Sequence, residues 1–292
     1  MKTKKLQTIG LIANPDKPAG RAGVLAAASL IASTGRAVAA DEQTARMTGL
    51  RCPTFPATAD LARQTDLLLV FGGDGTILRA VHEIHGSDTP ILGINVGRLG
   101  FLTAVSAGDL EDVLQKIWRG DFAIESRPLI AVSGEGQGKA VRTTAFNDIV
   151  VSHGAVSRII ELDVHIDGQP LTRYRGDGLI VSSPTGSTAY SLSAGGPIIS
   201  PDARVFAITP ICAHAVSNRS VIISSNATVS VKLLSRGMET MVAADGQILA
   251  SLREGDVITI RRSRRCARLL RPGNASFFAA VRQKLHWRGS SV

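Results

Sequence analysis

Aromatic side chains are scarce in this chain: phenylalanine, tryptophan and tyrosine together make up 4% of its 292 residues. A core with so few rings has to be built from aliphatic side chains and alanine. Three cysteines, Cys52, Cys212 and Cys266, lie far apart, so neither a disulfide framework nor a zinc motif is suggested. That usage fits a reducing cytosol, and the expected location is cytoplasmic. No apolar run is long enough to span a bilayer, and no membrane partner is expected. The G-x-x-x-x-G-K-[ST] phosphate loop is missing, as are the G-x-S-x-G elbow of many hydrolases and the H-E-x-x-H pair of zinc proteases. His82 and His85 are three apart with no third ligand in view, so a solvated helix face is expected there.

The charge balance is one-sided, with 33 basic against 24 acidic residues and a net charge of +9. Much of the excess lies in Arg261, Arg262, Arg264, Arg265, Arg268 and Arg271. No aromatic residues interleave with this run and no nucleic-acid signature accompanies it, so a solvated strand end is expected and no nucleic-acid partner. Attraction of polyanionic substrates such as nucleotides is the second reading.

Val24–Ala32 followed by Ala37–Ala40 has the look of a secretory signal. A complete strand-like run, Ile9–Ala13, precedes it, however, and Arg36 interrupts the supposed cleavage region. The segment reads as an alanine-rich helix packed on a sheet. Up to about Arg127, short apolar runs alternate with helical ones. The strand candidates are Thr8–Ala13, Leu67–Phe71 and Ile91–Asn95; the helix candidates are Gly20–Ser33, Ile77–His85 and Leu110–Arg119. This alternation predicts a parallel, Rossmann-like α/β domain over residues 1–127.

From Leu129 the texture changes to period-two strands. Gly134–Gly138 reads as a flexible turn, and Asp167-Gly168 as the primed turn of a hairpin. Val221–Ile223, Thr228–Leu234, Thr240–Ala244 and Val257–Arg261 are further strands, predicting an all-β sandwich over residues 128–265. The tail, residues 266–292, returns to helical spacing around Phe277-Phe278 and is expected to pack back on the first domain.

The densest signal is Gly72-Gly73-Asp74-Gly75-Thr76, directly after the apolar run Leu67–Phe71 and directly before a helical run. Glycines there can reach conformations closed to other residues and bring backbone N–H groups close to an anion beside a helix N-terminus. A carboxylate in such a loop would repel phosphate, so a purely structural Asp74 is hard to explain. Holding a metal ion or accepting a proton from an attacking hydroxyl are the roles that make sense of it. In the second half, Ser182–Pro197 is rich in small hydroxyl residues and glycine, with Tyr190 the one large side chain. Small residues let a planar ligand approach the backbone, and a tyrosine can stack on it.

Together these stretches resemble the NAD kinase family. The resemblance is carried by Asn14-Pro15-x-Lys17-Pro18, Gly72–Thr76, Gly93-Ile94-Asn95-x-Gly97-x-Leu99-Gly100-Phe101-Leu102, Asn147-Asp148, Asp177–Val181, Pro184–Ser191, Thr209–Cys212, Asn218-Arg219, Asp245-Gly246-Gln247 and Phe277-Phe278. The G-G-D-G-T loop alone is shared with diacylglycerol and sphingosine kinases; the run from Asp177 to Gly196 is the more specific part. The resemblance implies transfer of the γ-phosphate of ATP to the 2′-hydroxyl of the adenosine ribose of NAD, with Mg²⁺ or Mn²⁺. It also implies a two-domain fold with the active site between an α/β domain and a β-sandwich, and a homo-oligomer, dimer or tetramer.

By the same resemblance Asp74 is the catalytic base and Gly72, Gly73, Gly75 and Thr76 form the phosphate loop. Asn147 and Asp148 would bind the adenosine portion. Asp177, Thr188 and Ala189 would meet the nicotinamide side, with Tyr190, Ser191, Leu192 and Ser193 nearby. Arg79, Arg158, Arg175 and Gln247 are further expected contacts. The family usually has Asn-Glu where this chain has Asn147-Asp148, one methylene shorter. The alternatives are a lipid kinase sharing the glycine loop and a non-catalytic dinucleotide-binding regulator.

Overall fold

The computed structural model describes residues 6–84, 86–97, 100–103, 105–154, 158–214, 218–273 and 276–287. The chain divides into two compact units, Met1–Ser126 with Ala267–Val292, and Arg127–Cys266.

In the first unit the chain runs β1 (Thr8–Ala13), α1 (Ala19–Ser33), β2 (Ala37–Asp41), α2 (Glu42–Thr48), β3 (Thr54–Phe55), α3 (Thr58–Gln64), β4 (Leu67–Gly72), α4 (Asp74–Glu83), β5 (Ile91–Asn95), β6 (Val105–Ser106) and α5 (Leu110–Trp118). The strands pair in parallel in the order β3-β2-β1-β4-β5. That is the Rossmann order of a doubly wound sheet, whose ligand sites lie at the carboxyl ends of the strands. Every residue of β4 and β5 is buried, as expected of a parallel sheet covered on both faces. The apolar core joins Ile9, Leu11, Leu69, Phe71, Leu92 and Ile94 from the strands to Val24, Ala27 and Ile31 from α1.

Two expectations about this unit change. Ala37–Ala40 belongs to strand β2 and does not extend the alanine-rich helix, which ends at Ser33 with Gly35 at φ 73°. Glycine reaches that left-handed conformation at low cost and stops the helix. The solvated helix face around His82 is also incomplete as a description, because Glu83 accepts a hydrogen bond from Thr58 Oγ1 at 2.6 Å. His85 lies outside the described residues.

The second unit continues with β7 (Phe122–Gly136), β8 (Lys139–Ala145), β9 (Asp148–His153), β10 (Ile160–Ile166), β11 (Gln169–Gly176), β12 (Gly178–Ser182), α6 (Tyr190–Ser193), β13 (Val205–Ile211), β14 (Val221–Ser224), β15 (Val229–Leu233), β16 (Thr240–Ala244), β17 (Gln247–Leu252) and β18 (Val257–Pro272). One antiparallel sheet has the order β14-β13-β12-β9-β16-β17, and β11, β10, β15 and the first part of β18, with β7 paired to β18 and β8 to β7, build the other. Their inner faces share one core, with Val151, Val181 and Phe206 from the first and Leu162, Val231 and Ile258 from the second. This is the sandwich that the period-two pattern predicts. The last part of β18, which pairs Leu269 with Ile91, and helix α7 (Phe277–Lys284) belong to the first unit, so the tail does return there.

The segment Gly134–Gly138 is not a flexible turn. Gly134 and Gly136 are strand residues of β7, and a Cβ on Gly134 would stand 2.4 Å from the carbonyl oxygen of Val257. The reversal is confined to Gln137 and Gly138, at φ 49° and 79°. Asp167 and Gly168 form the expected primed turn, at φ 50° and 80°.

Candidate functional site

Strand β4 ends at Gly72 and helix α4 begins at Asp74, so the glycine loop is a single-residue joint at the carboxyl end of the sheet. None of its three glycines has a positive φ. The expectation of forbidden conformations is therefore corrected: at Gly72 glycine is needed for space. A Cβ on Gly72 would stand 2.1 Å from Thr76 Oγ1, and one on Gly73 would stand 3.5 Å from the Lys17 ammonium. Gly75 is exposed with nothing within 4 Å of such an atom.

Asp74 has a structural role after all. Its carboxylate accepts backbone N–H bonds from Phe101 at 2.8 Å, Leu102 at 3.0 Å and Thr103 at 3.4 Å. Three donors aimed at one carboxylate complement its negative charge. The second glycine-bearing stretch makes this possible, because a Cβ on Gly100 would stand 1.8 Å from Asp74 Oδ1. A Cβ on Gly93 would stand 2.3 Å from Ile77 Cδ1 of α4. The motif Gly93–Leu102 is thus the socket of the motif Gly72–Thr76; its Leu99 lies outside the described residues.

Two cations of this unit escaped the sequence reading. Lys17 lies in a turn closed by its own N–H to Asn14 O at 3.1 Å, and Asn14 N–H bonds Phe71 O at 3.2 Å, next to the glycine loop. The signal was Lys17 itself, present in a motif but given no role. Arg271, grouped with the solvated arginines, has a side chain only 12% exposed and bonds Glu125 Oε2 at 3.3 Å. That expectation is corrected for Arg271, while Arg261, Arg262, Arg264 and Arg265 are exposed as expected. Arg79 bonds Ala13 O at 3.3 Å and Gln43 at 3.4 Å, and lies 3.7 Å from Glu83.

In the second unit Asp148 opens β9 and is 4% exposed. Burial, and then the neighbouring negative charge of Asp245, push its carboxyl up to about 7. Asp245 also fixes the loop that presents the pair. Its carboxylate accepts N–H bonds from Phe146 at 2.6 Å, Asn147 at 2.7 Å and Asp148 at 3.0 Å. From the other side Ser183 donates its N–H to Asn147 O at 2.8 Å, and its hydroxyl to Phe146 O at 2.7 Å. Sequence reasoning quoted Asp245 without a function; a Asp-Gly pair reads first as a turn, and this one is a turn, with Asp245 at φ 48°.

The hydroxyl-rich run packs on the outer face of β9 and β12, where Val150, Ile180 and Ile211 meet Ala194. Its tyrosine, Tyr190, is 46% exposed. Ser191 is fully buried and its hydroxyl meets Thr209 Oγ1 at 3.0 Å, so its side chain supports the turn. Thr188 bonds Thr185 O at 3.2 Å; Ala189 and Leu192 are half-buried and Ser193 is exposed. Asp177 lies 3.9 Å from His153 Nε2 and accepts from the Cys212 thiol, which holds that thiol above its usual range. Arg158, Arg175 and Gln247 are exposed. Among the described residues no group of three or more His, Cys, Asp or Glu side chains converges to hold a metal ion, and no helix is long and apolar enough to cross a membrane.

A Rossmann-ordered sheet with a glycine loop at its carboxyl edge, together with a β-sandwich, defines a two-unit nucleotide-binding protein. The comparisons narrow this. Residues 9–122 match the ATP-NAD kinase N-terminal domain, and residues 146–271 match the ATP-NAD kinase C-terminal domain. The chain belongs to the NAD kinase family. It is 42% identical over 285 residues to an NAD kinase of Moorella thermoacetica, covering 98% of this chain and 91% of that one. To an NAD kinase of Ralstonia nicotianae it is 39% identical over 287 residues, covering 98% and 94%. Among solved structures, a yeast NADH kinase complexed with NADH superposes with a TM-score of 0.89 at 27% identity, covering 99% of this chain and 90% of that one. An NAD kinase from Archaeoglobus fulgidus in complex with ATP gives 0.75 at 26%, covering 97% and 100%.

Proposed function

We propose that this protein transfers the γ-phosphate of ATP to the 2′-hydroxyl of the adenosine ribose of NAD, giving NADP and ADP. The observation that carries the reading is Asp74, seated at the start of α4 and held by three backbone N–H groups. The 2′-oxygen attacks the γ-phosphorus, the bond from that phosphorus to the β-phosphate bridging oxygen breaks, and the hydroxyl proton passes to Asp74. A ribose hydroxyl is a poor nucleophile at neutral pH, so a fixed carboxylate that orients it and takes its proton lowers the barrier.

The phosphates of the donor meet Gly73, Gly75 and Thr76, and Lys17 supplies the cation that a P-loop lysine supplies elsewhere. A divalent ion, Mg²⁺ or Mn²⁺, would supply neutralisation of the charge that spreads during transfer; no cluster of three or more His, Cys, Asp or Glu among the described residues would hold it apart from the nucleotide. Asn147 and Asp148 hold the adenosine of NAD. Asp177, Thr188, Ala189 and Tyr190 hold the nicotinamide side, with Arg158, Arg175, Leu192, Ser193 and Gln247 around it. Ser191 and Arg79 serve as supports. The protein works in the cytoplasm as a dimer or tetramer. The test is purified protein with ATP, Mg²⁺ and NAD, with NADP read by an NADP-specific dehydrogenase. Phosphorylation of a lipid in place of NAD, or binding of NAD with no turnover, would replace this reading.

A further inference from the structure

Arg271 sits on the far side of the peptides that grip Asp74. Its Nη1 donates to the carbonyl oxygen of Leu102 at 3.2 Å and its Nη2 to that of Phe101 at 3.4 Å. The N–H groups of Phe101 and Leu102 are two of the donors to the Asp74 carboxylate, at 2.8 and 3.0 Å. Nε of the same guanidinium is 3.3 Å from Glu125 Oε2, which fixes the remaining edge of the fork. The planar guanidinium presents its donors in a rigid geometry, so it can hold two adjacent carbonyls at once. A cation on a carbonyl oxygen polarises the N–H of the same peptide group, so the contact at Phe101 O acts on the Leu102 N–H and the contact at Leu102 O acts on the Thr103 N–H, both donors to Asp74 Oδ1.

We infer that Arg271 is a positioning residue for Asp74, acting through the backbone of Phe101 and Leu102 without touching substrate. The inference rests on the kinase reading given above. It accounts for a nearly buried cation at the end of a strand whose Arg261, Arg262, Arg264 and Arg265 are exposed and whose half-buried Arg268 pairs with Asp88 at 2.9 Å. It also gives the chain's last strand a task at the reacting carboxylate, more than 160 residues away in sequence from the loop it braces.

A double-mutant cycle tests it. Arg271→Met should lower kcat by about tenfold or more, with calorimetric Kd values for NAD and ATP within about threefold of wild type. Arg271→Lys, which keeps the charge but loses the fork, should fall between. In an Asp74→Asn background the Arg271→Met change should cost less than about twofold, because the group it positions can no longer act. A full and equal loss in both backgrounds would overturn the inference, as would unchanged kcat in Arg271→Met. Should Arg271→Met fail to fold, Arg271→Lys enters the same cycle. Amide hydrogen exchange at Leu102 and Thr103, whose N–H groups share peptide groups with the two braced carbonyls, gives a readout without turnover. Protection there should fall by about tenfold in Arg271→Lys, and unchanged protection would overturn the inference even if wild type made no NADP. Absence of NADP from wild type would count against the kinase reading alone.

Discussion

In the proposed mechanism Asp74 would carry two duties that constrain each other. As the base it would have to face a hydroxyl, while as a hydrogen-bond acceptor it closes the loop Phe101–Thr103. Asp74→Asn keeps the shape but turns an NH₂ toward donors that need an acceptor, so at least one of those bonds is lost. General-base removal is typically worth about 10²–10⁴ in rate, and kcat should fall by that order. NAD binding by calorimetry should stay within a few-fold. A variant with near-wild-type kcat would sink the base assignment, and one that loses NAD affinity in step with kcat would show Asp74 to be chiefly structural.

Asp148 raises a different issue, because it is buried next to Asp245 and titrates at about 7. Its folded value lies above the ordinary carboxylate value, so between about pH 4 and pH 7 the native state binds the extra proton. Stability from this group therefore falls as pH rises through that window and stays low above it. Asp148→Asn should raise Tm relative to wild type at pH 8 and raise it much less at pH 4.5. Equal shifts at both pH values would mean that the carboxyl is ionised throughout. If the side chain also holds the adenosine of NAD, Asp148→Ala should raise KM for NAD on the order of tenfold, the cost of a charge-assisted bond of about 1.5–3 kcal/mol. An unchanged KM would show that the shorter side chain does not reach the substrate.

At the scale of elements, the joint between β4 and α4 and the loop after β5 are one device. Gly100→Ala would drive a methyl group into Asp74 Oδ1, which has little room to retreat because three N–H groups hold the carboxylate. Activity should drop by at least about tenfold while Tm falls only by the few degrees typical of a local clash. Gly97→Ala is the control, since nothing lies within 4 Å of its Cβ. Comparable losses in the two variants would show that the loop simply tolerates no side chain. Sequence pattern revealed the apolar strands and the helices with a clear apolar face well: β1, β4, β5, α1 and α5 stand within a few residues of the expected bounds. Residues 37–64 were opaque for a physical reason. Their strands β2 and β3 are short and alanine- or threonine-bearing, their helices last seven residues each, and no period can establish itself over such lengths. The candidate site was legible where glycines and small hydroxyls cluster. It was not legible where a partner comes from far along the chain, as with Arg271 for the Asp74 loop and Asp245 for the Asn147-Asp148 pair. Pairings of that kind are set by the fold and leave no local spacing to read.

For the whole molecule, the net charge of +9 bears on how anionic substrates arrive. Basic proteins draw polyanions through a field that salt screens, with a Debye length of about 10 Å at 0.1 M and about 3 Å at 1 M. ATP carries more negative charge than NAD, so kcat/KM for ATP should fall more steeply with KCl than kcat/KM for NAD. Between about 0.05 and 0.5 M the loss for ATP should be on the order of tenfold, with that for NAD a few-fold at most. Lys17 tests whether the effect is diffuse or local. Its ammonium stands beside Gly73, and it has no carboxylate partner among the described residues. If it meets the donor phosphates, Lys17→Ala should raise KM for ATP and flatten the salt dependence for ATP, leaving that for NAD as it was. Replacing an exposed arginine such as Arg262 removes the same charge from β18 and should change neither slope by more than about a third of the Lys17 effect. Equal flattening by both substitutions would mean that overall charge alone attracts ATP, and parallel slopes for ATP and NAD in wild type would rule out charge-driven capture of the donor.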